Sequence, residues 1–213
     1  MEAVVAAVRL LADRGLNQGA SGNVSVRRGN GFVVTPSGVS ADVLRADQLV
    51  AMDMQGGWSG AWKPSSEWRF HRDIYAARPD AGAVVHCHSP AATALAVLGK
   101  TLPAFHYMVA IAGGSDVRCA PYATFGTQEL SDAALRALDG RRACLLAHHG
   151  MIAIGKDLAQ AVDVAVEIEF LCDLYLRLLP LGAPPVLPAA EMAVVLEKFK
   201  SYGANAQVVK AAT

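Results

Sequence analysis

Apolar positions recur at three- and four-residue spacing over residues 2–14 and stop at Gly15, so the chain opens on an amphipathic helix with a glycine at its end. The pattern then changes period. "NVSVRR" and "GFVVT" alternate or run apolar with β-branched residues, and "GNG" between them predicts a hairpin. "TPSG" is a turn, Ser40 is placed to cap a short helical piece, and "QLVAMD" predicts another strand. Helical spacing returns in "PSSEWRFHRDIYAARP", which Pro79 ends. Residues 82–88 predict a strand, followed by a short helix from Ser89 with Pro90 at its first position and a Gly-rich segment around 113 and 114. "TQELSDAALRALDG" predicts a helix capped by Thr127 and closed by Gly140. "ACLLAHHG" predicts a strand, and "DLAQAVDVAVEIEFLCDLYLRLL" a long helix capped by Asp157. The last helix, "AAEMAVVLEKFKSYG", is expected to end at Gly203. No repeat, low-complexity linker or boundary interrupts this order. Residues 1–213 therefore predict a single α/β domain, with the early hairpin favouring a mixed or antiparallel sheet.

Composition narrows the class. Of 213 residues 53% are apolar and mean hydropathy is +0.29, richer than an average soluble domain, which suggests much buried surface, subunit interfaces included. Lysine and arginine number 19 and aspartate and glutamate 19, so the net charge is zero. No basic stripe points to nucleic acid or to an anionic membrane surface. Cys87, Cys119, Cys144 and Cys172 are far apart and form no CxxC pair, so they read as reduced thiols. Charges punctuate the first fifteen residues, and no apolar run reaches the roughly 18 residues of a spanning helix. The expectation is a cytoplasmic globule.

The chemistry begins with histidine. His86 and His88 lie one residue apart on a strand, so both rings point to one face and Cys87 to the other. That pair alone fits two satisfied polar side chains as well as it fits a shared zinc ion. A second apolar run also ends in histidines, His148 and His149, of which alternation lets one face the first pair. Two strands that both end this way favour a three-nitrogen zinc site with an open position. His71, on a presumed helix face, reads as a partly exposed surface histidine, and His106 has a similarly weak claim.

Zinc held by three neutral imidazoles keeps its charge and can polarise a carbonyl, which calls for a carboxylate beside it. Glu67 in "KPSSEWRF" is the candidate, although a first-turn glutamate is common for helix-dipole reasons alone. Ser65 and Ser66 offer hydroxyls and free N–H groups at a helix start, and "GASGNVS" and "TPSGVS" are further turns that can aim N–H groups at a phosphate. Capping and hairpin chemistry explain each of these in isolation. No Walker motif indicates a nucleotide. Together they describe a small phosphorylated substrate beside a metal ion.

"GLNQGASGNVSVR", "TPSG", "PSSEWRFH", "AVVHCHS", "AFHYMVAIAGG", "CAPYATFGT", "HHG" and "AVVLEKFKSYG" occur in order across nearly the whole chain. In them the sequence resembles the class II aldolases of the aldolase/adducin family, most closely the bacterial branch that acts on L-fuculose 1-phosphate. The resemblance implies a three-layer α/β/α domain around a central, mostly antiparallel sheet. It also implies a homotetramer with active sites between neighbours. Carried over by position, His86, His88 and His149 are the expected zinc ligands. Gly22, Asn23, Ser37, Gly38, Ser65 and Ser66 would hold phosphate, with Ser37 standing where a threonine is frequent. Glu67 would be the acid/base. Tyr107, from an adjacent subunit, would act on the aldehyde-side oxygen, Phe125 would line the aldehyde pocket, and Tyr202 would help close the site. The tail "ANAQVVKAAT" differs from that branch.

The resemblance implies reversible cleavage of a ketose 1-phosphate to dihydroxyacetone phosphate and a small aldehyde such as L-lactaldehyde. One zinc per subunit is expected, although manganese and cobalt accept the same ligands. A pentulose-phosphate 4-epimerase of the same fold is the nearest alternative. That branch carries a carboxylate in the segment corresponding to "HYMVAIAGG", whereas residues 106–114 contain no Asp or Glu. An aldolase or dehydratase acting on ribulose or methylthioribulose 1-phosphate is a further alternative. A non-catalytic adducin-like module should lack the three histidines and Glu67, and all four are present.

Overall fold

The computed structural model describes residues 1–200, so Tyr202, Gly203 and the tail lie outside the described residues. Its seven strands form one sheet: β1 (Asn23–Arg28), β2 (Gly31–Val34), β3 (Val50–Met52), β4 (Ala83–Cys87), β5 (Cys119–Ala120), β6 (Ala143–Leu146) and β7 (Gly150–Gly155). Their order is β3-β2-β1-β4-β7-β6-β5, and every neighbouring pair is antiparallel except β5 with β6. The "GNG" hairpin forms with Arg28 opposite Gly31 and Gly29 at φ 55°. β5 and β7 went unread in the sequence. β7 is the longer omission, because "HHG" is the turn before it and not the end of the fold's strand set.

The described residues also form six α-helices, of which the first five cover the sheet: α1 (Glu2–Asp13), α2 (Trp68–Ala77), α3 (Pro90–Val97), α4 (Gln128–Ala137), α5 (Leu158–Leu178) and α6 (Ala189–Phe199). Strand alternation sorts the core into two layers. Val24, Val33, Val85, Cys87, Leu145 and Met151 face α1, α3 and α5, whereas Phe32, Val34, Val84, Leu146, Ile152 and Ile154 face α2 and α4. The result is the expected α/β/α sandwich. α6 packs instead on the 3-10 turn Tyr107–Ala112, with Met192 buried beside Ala104 and Ala110. Among the described residues no helix is long and apolar enough to cross a membrane. All four cysteines are free, and Cys87, Cys144 and Cys172 are buried.

Two helix starts differ from expectation. Ser40 closes a turn with Val43 and Leu44, whereas the 3-10 turn Ala46–Gln48 starts after Arg45 and is closed by the Gln48 side chain on the Arg45 N–H. At α3 the Ser89 hydroxyl makes no cap. The two carboxylate oxygens of Glu169, on α5, accept the N–H groups of Ala91 and Ala92 at 2.8 Å each. An acidic group from a distant helix thus satisfies the first amides of α3 and complements its dipole.

Candidate active site

The site lies on the α2 side of the sheet, where β1 begins and β4 ends. Asn23 pairs with His86 across the β1–β4 ladder, so their side chains share one face, and Phe70 of α2 packs its ring edge-on to His86 at 5.4 Å. His88 follows the last residue of β4. Its N–H is held by Asn17 Oδ1 at 3.0 Å, and that approach depends on Gly22: a Cβ there would lie 2.4 Å from the Asn17 side chain, at φ +74°. His149 arrives differently from the expected strand end. It occupies the turn Ala147–His149 between β6 and β7, with His148 at φ 56°, and Gly150 lets this turn lie against β4 because a Cβ would meet the Cys87 carbonyl at 2.3 Å. Alternation therefore does not choose between the two histidines; both line the cleft.

Glu67 occupies the N-cap position of α2, its N–H bonded to Ser65 Oγ at 3.3 Å. This sets its carboxylate among the three rings. Oε2 lies 3.1 Å from His86 Nε2, and Oε1 lies 3.3 Å from His149 Nε2. The rings of His86, His88 and His149 stand 4.8–4.9 Å apart, each near-perpendicular to the others. One donor atom from each of Glu67, His86, His88 and His149 falls within 4.8 Å of the rest.

These four groups fit a metal ion on their own chemistry. His86 Nδ1 donates to the Met151 carbonyl at 2.9 Å, so the neutral ring presents a lone pair at Nε2, and His88 Nε2 lies only 3.0 Å from it. Glu67 Oε1 is buried with no hydrogen-bond partner. Lone pairs and an unsatisfied carboxylate oxygen converging in a buried volume are electrostatically unfavourable unless a cation lies between them. Burial, reinforced by the His86 ring, pushes His88 and His149 down to about 4, so both rings are neutral at neutral pH, as metal ligands must be. Burial acts on His86 in the same sense, but the Glu67 carboxylate and the Met151 carbonyl outweigh it and raise its pKa. The field that favours a proton on that nitrogen favours any cation there. Burial alone would raise Glu67; His86, His149 and the Asn23 amide overcome it and hold the carboxyl well below the ordinary carboxylate range.

Beside this cluster is a cleft of about 320 Å³ lined by Gly22, Asn23, Ser37, Gly38, Ser65, Ser66 and Phe125, together with Glu67, His88 and His149. Its polar end is stitched by Ser37 N–H to the Lys63 carbonyl and Ser65 N–H to the Thr35 carbonyl. Among the described residues the N–H groups of Gly22, Gly38 and Ser66 bond no carbonyl or side chain, which leaves three donors for an anion. Tyr122 and Ala123 line the cleft as well and were not foreseen; Tyr122 packs edge-on to His148 at 6.0 Å. Phe125 is 64% exposed. Tyr107, 49% exposed on its 3-10 turn, does not line this cleft, and Tyr202 lies outside the described residues.

One expectation is overturned. His71 is not a surface residue: it is fully buried, with Nε2 against Asn23 Oδ1 and Nδ1 2.7 Å from Ser25 Oγ. Asn23 also donates from Nδ2 to Glu67 Oε2 at 3.0 Å. Both ends of its amide are thus engaged inside the protein, with one amide hydrogen left over.

Known proteins share both the sequence and the fold. The sequence profile of the class II aldolase and adducin N-terminal domain matches residues 2–176. A 5-methylthioribulose-1-phosphate/5-deoxyribulose-1-phosphate aldolase of Rhodospirillum rubrum is 58% identical over 205 residues, covering 96% of this chain and 93% of that protein. An L-fuculose phosphate aldolase of Escherichia coli is 51% identical over 190 residues, covering 89% and 88%. A solved L-fuculose 1-phosphate aldolase superposes with a TM-score of 0.91 at 40% identity, over 93% of this chain and 95% of that one. The same seven-stranded frame and a profile match over most of the chain settle its kinship: it is a lyase of the class II aldolase and adducin family.

Proposed function

We propose that the protein is a zinc-dependent aldolase that reversibly cleaves a ketose 1-phosphate to dihydroxyacetone phosphate and a small aldehyde. The convergence of three imidazoles and Glu67 on one point beside a cleft with free N–H donors carries this reading. Gly22, Asn23, Ser37, Gly38, Ser65 and Ser66 hold the phosphate through N–H and hydroxyl donors. His86, His88 and His149 would hold the metal, with the Glu67 carboxylate beside them. When bound, the divalent ion supplies positive charge that stabilises the anion developing as the C3–C4 bond breaks. In the condensing direction the ionised Glu67 takes a proton from the reacting carbon of dihydroxyacetone phosphate, and in the cleavage direction the protonated Glu67 returns it to that carbon. Tyr107 of an adjacent subunit serves the aldehyde-side oxygen. Tyr202 closes the site, and Phe125 lines the aldehyde end, where Tyr122 and Ala123 add an apolar wall suited to a deoxy or thioether tail. The working form is a cytoplasmic, single-domain homotetramer.

Both L-fuculose 1-phosphate and the 5-deoxy or 5-methylthio ribulose 1-phosphates fit that description. The 58% identity to an aldolase named for the latter pair, against 51% to one named for the former, favours the pentulose substrates as a second reading. The test is to incubate zinc-loaded protein with each ketose 1-phosphate and measure dihydroxyacetone phosphate release with and without chelator. Release that chelator abolishes and zinc restores is expected. Chelator-insensitive release refutes the metal-assisted reaction, and epimerised sugar without triose refutes cleavage. The ratio of kcat/KM values assigns the aldehyde.

A further inference from the structure

Behind Glu67 runs a chain of buried polar groups. It alternates between one stripe of α2 and one face of β1: Glu67, Asn23, His71, Ser25, Tyr75. The geometry follows from the two periods. Four residues of helix advance about 6 Å and two residues of strand about 6.6 Å, so positions 67, 71 and 75 interleave with 23 and 25. After the Asn23 contact to Glu67 Oε2, Asn23 Oδ1 meets His71 Nε2, His71 Nδ1 meets Ser25 Oγ at 2.7 Å, and Ser25 Oγ meets Tyr75 Oη at 2.8 Å. Ser25 and His71 are fully buried, and Tyr75 is 2% exposed.

The direction of every bond is dictated from one end. An ionised carboxylate only accepts, so Asn23 must turn its NH2 to Glu67 and its oxygen to His71. That oxygen also only accepts, so His71 Nε2 must carry the hydrogen. Nδ1 of the neutral ring is then an acceptor, Ser25 donates to it, and Tyr75 donates to Ser25. Burial drives His71 down to about 3, with the neighbouring His86 adding to it, which agrees with a neutral ring.

We propose that His71 is a positioning residue for Glu67: its Nε2–H tautomer locks the Asn23 amide in the one orientation that presents a donor to the carboxylate. Without that lock the amide can flip and set its oxygen against Glu67, which repels the carboxylate from its place. The inference rests on the acid/base assignment of Glu67 for its effect on turnover, but the tautomer stands on geometry alone.

Long-range 1H–15N correlation on the full-length protein reads the tautomer directly. Nε2–H is expected for His71, neutral from pH 8 down to 5; an Nδ1–H form, or an imidazolium in that range, overturns the proposal. The variants separate positioning from packing. His71→Gln places an N–H near the Nε2 position and should stay within about 3-fold of wild-type kcat. His71→Leu keeps bulk, removes the donor, and should lower kcat by roughly 10–100-fold, as outer-shell losses do. KM for the ketose 1-phosphate should move less than about 2-fold, and metal content should not change. If the leucine variant does not fold, His71→Asn replaces it, because its amide reaches Ser25 but not Asn23. Equal turnover in the glutamine and non-donating variants, whether both fast or both slow, overturns the positioning role. If Glu67→Gln is fully active while the tautomer is as expected, the acid/base reading fails and the locked amide survives.

Discussion

Glu169 is the most direct point at which the fold can be loosened next to the site without touching a proposed ligand. Its two oxygens hold the Ala91 and Ala92 amides, and the capped residues begin three positions after His88. Replacing it by alanine leaves two N–H groups of a helix N-terminus without acceptors, beside a Ser89 hydroxyl that already has no partner. Losing a helix cap costs about 0.5–2 kcal/mol, and a hydrogen bond to a charged group about 1.5–3 kcal/mol. Because the carboxylate is partly exposed and water can replace some of what is lost, the expectation for Glu169→Ala is about 2–4 kcal/mol. For a chain of this size that lowers Tm by roughly 5–12 °C. Glu169→Gln keeps one acceptor and turns an NH2 toward the other amide, so it should lose about half as much, roughly 1–2 kcal/mol. Calorimetry at fixed protein concentration, metal-free and with excess zinc, reads both numbers. Zinc should also bind more weakly to the alanine variant, because the segment after His88 is less firmly held. An alanine variant that melts within about 2 °C of wild type would refute the capping argument.

Glu67→Gln should keep the metal, since three imidazoles remain, and lose about 10²–10⁴-fold in kcat, as general acid–base groups do; triose release and metal analysis on the same sample check both. Gly22→Ala forces a left-handed alanine and drives its Cβ into the Asn17 amide, so about 1–3 kcal/mol of stability should be lost. Weaker zinc binding through the displaced His88 backbone should accompany it, and titration calorimetry beside a urea curve separates the two effects. Burial pushes the His71 pKa down to about 3 from an ordinary 6.5, so between those values the unfolded state binds the extra proton. Its contribution to stability is complete above pH 6.5 and is lost as the pH falls toward 3. The unfolding free energy of metal-free protein, read from urea curves, should therefore drop less steeply with acidification in His71→Gln, by about 1.4 kcal/mol per pH unit.

Period-two alternation in "AVVHCH" puts His86 and Cys87 on opposite faces of the sheet, and helical spacing locates α1, α2, α4 and α5 to within a few residues. β7 escaped because the turn before it has no residue that advertises a hairpin. A histidine holds the left-handed position where glycine or asparagine is usual, and Gly150 reads as a stop. His71 could have been found. It stands four residues before Tyr75 and beside Phe70 and Ile74, on the buried face of α2, where a polar side chain implies a partner. Asn17 could not, because its role is a long-range bond to a backbone amide 71 positions away. Tyr107 would, by resemblance, serve a site built by two subunits, and one chain's pattern of apolar positions does not encode how copies meet.

The ladder between β4 and β7 aims two of the rings at once. His86 is steered by the carbonyl of Met151, the residue opposite Cys87, and the turn leading into the same strand delivers His149. An ion clasped there acts as a rivet at one end of the central zipper. Unzipping from that end must first eject it, so loading should slow amide exchange at Cys87 and Met151 far more than along the β2–β3 edge.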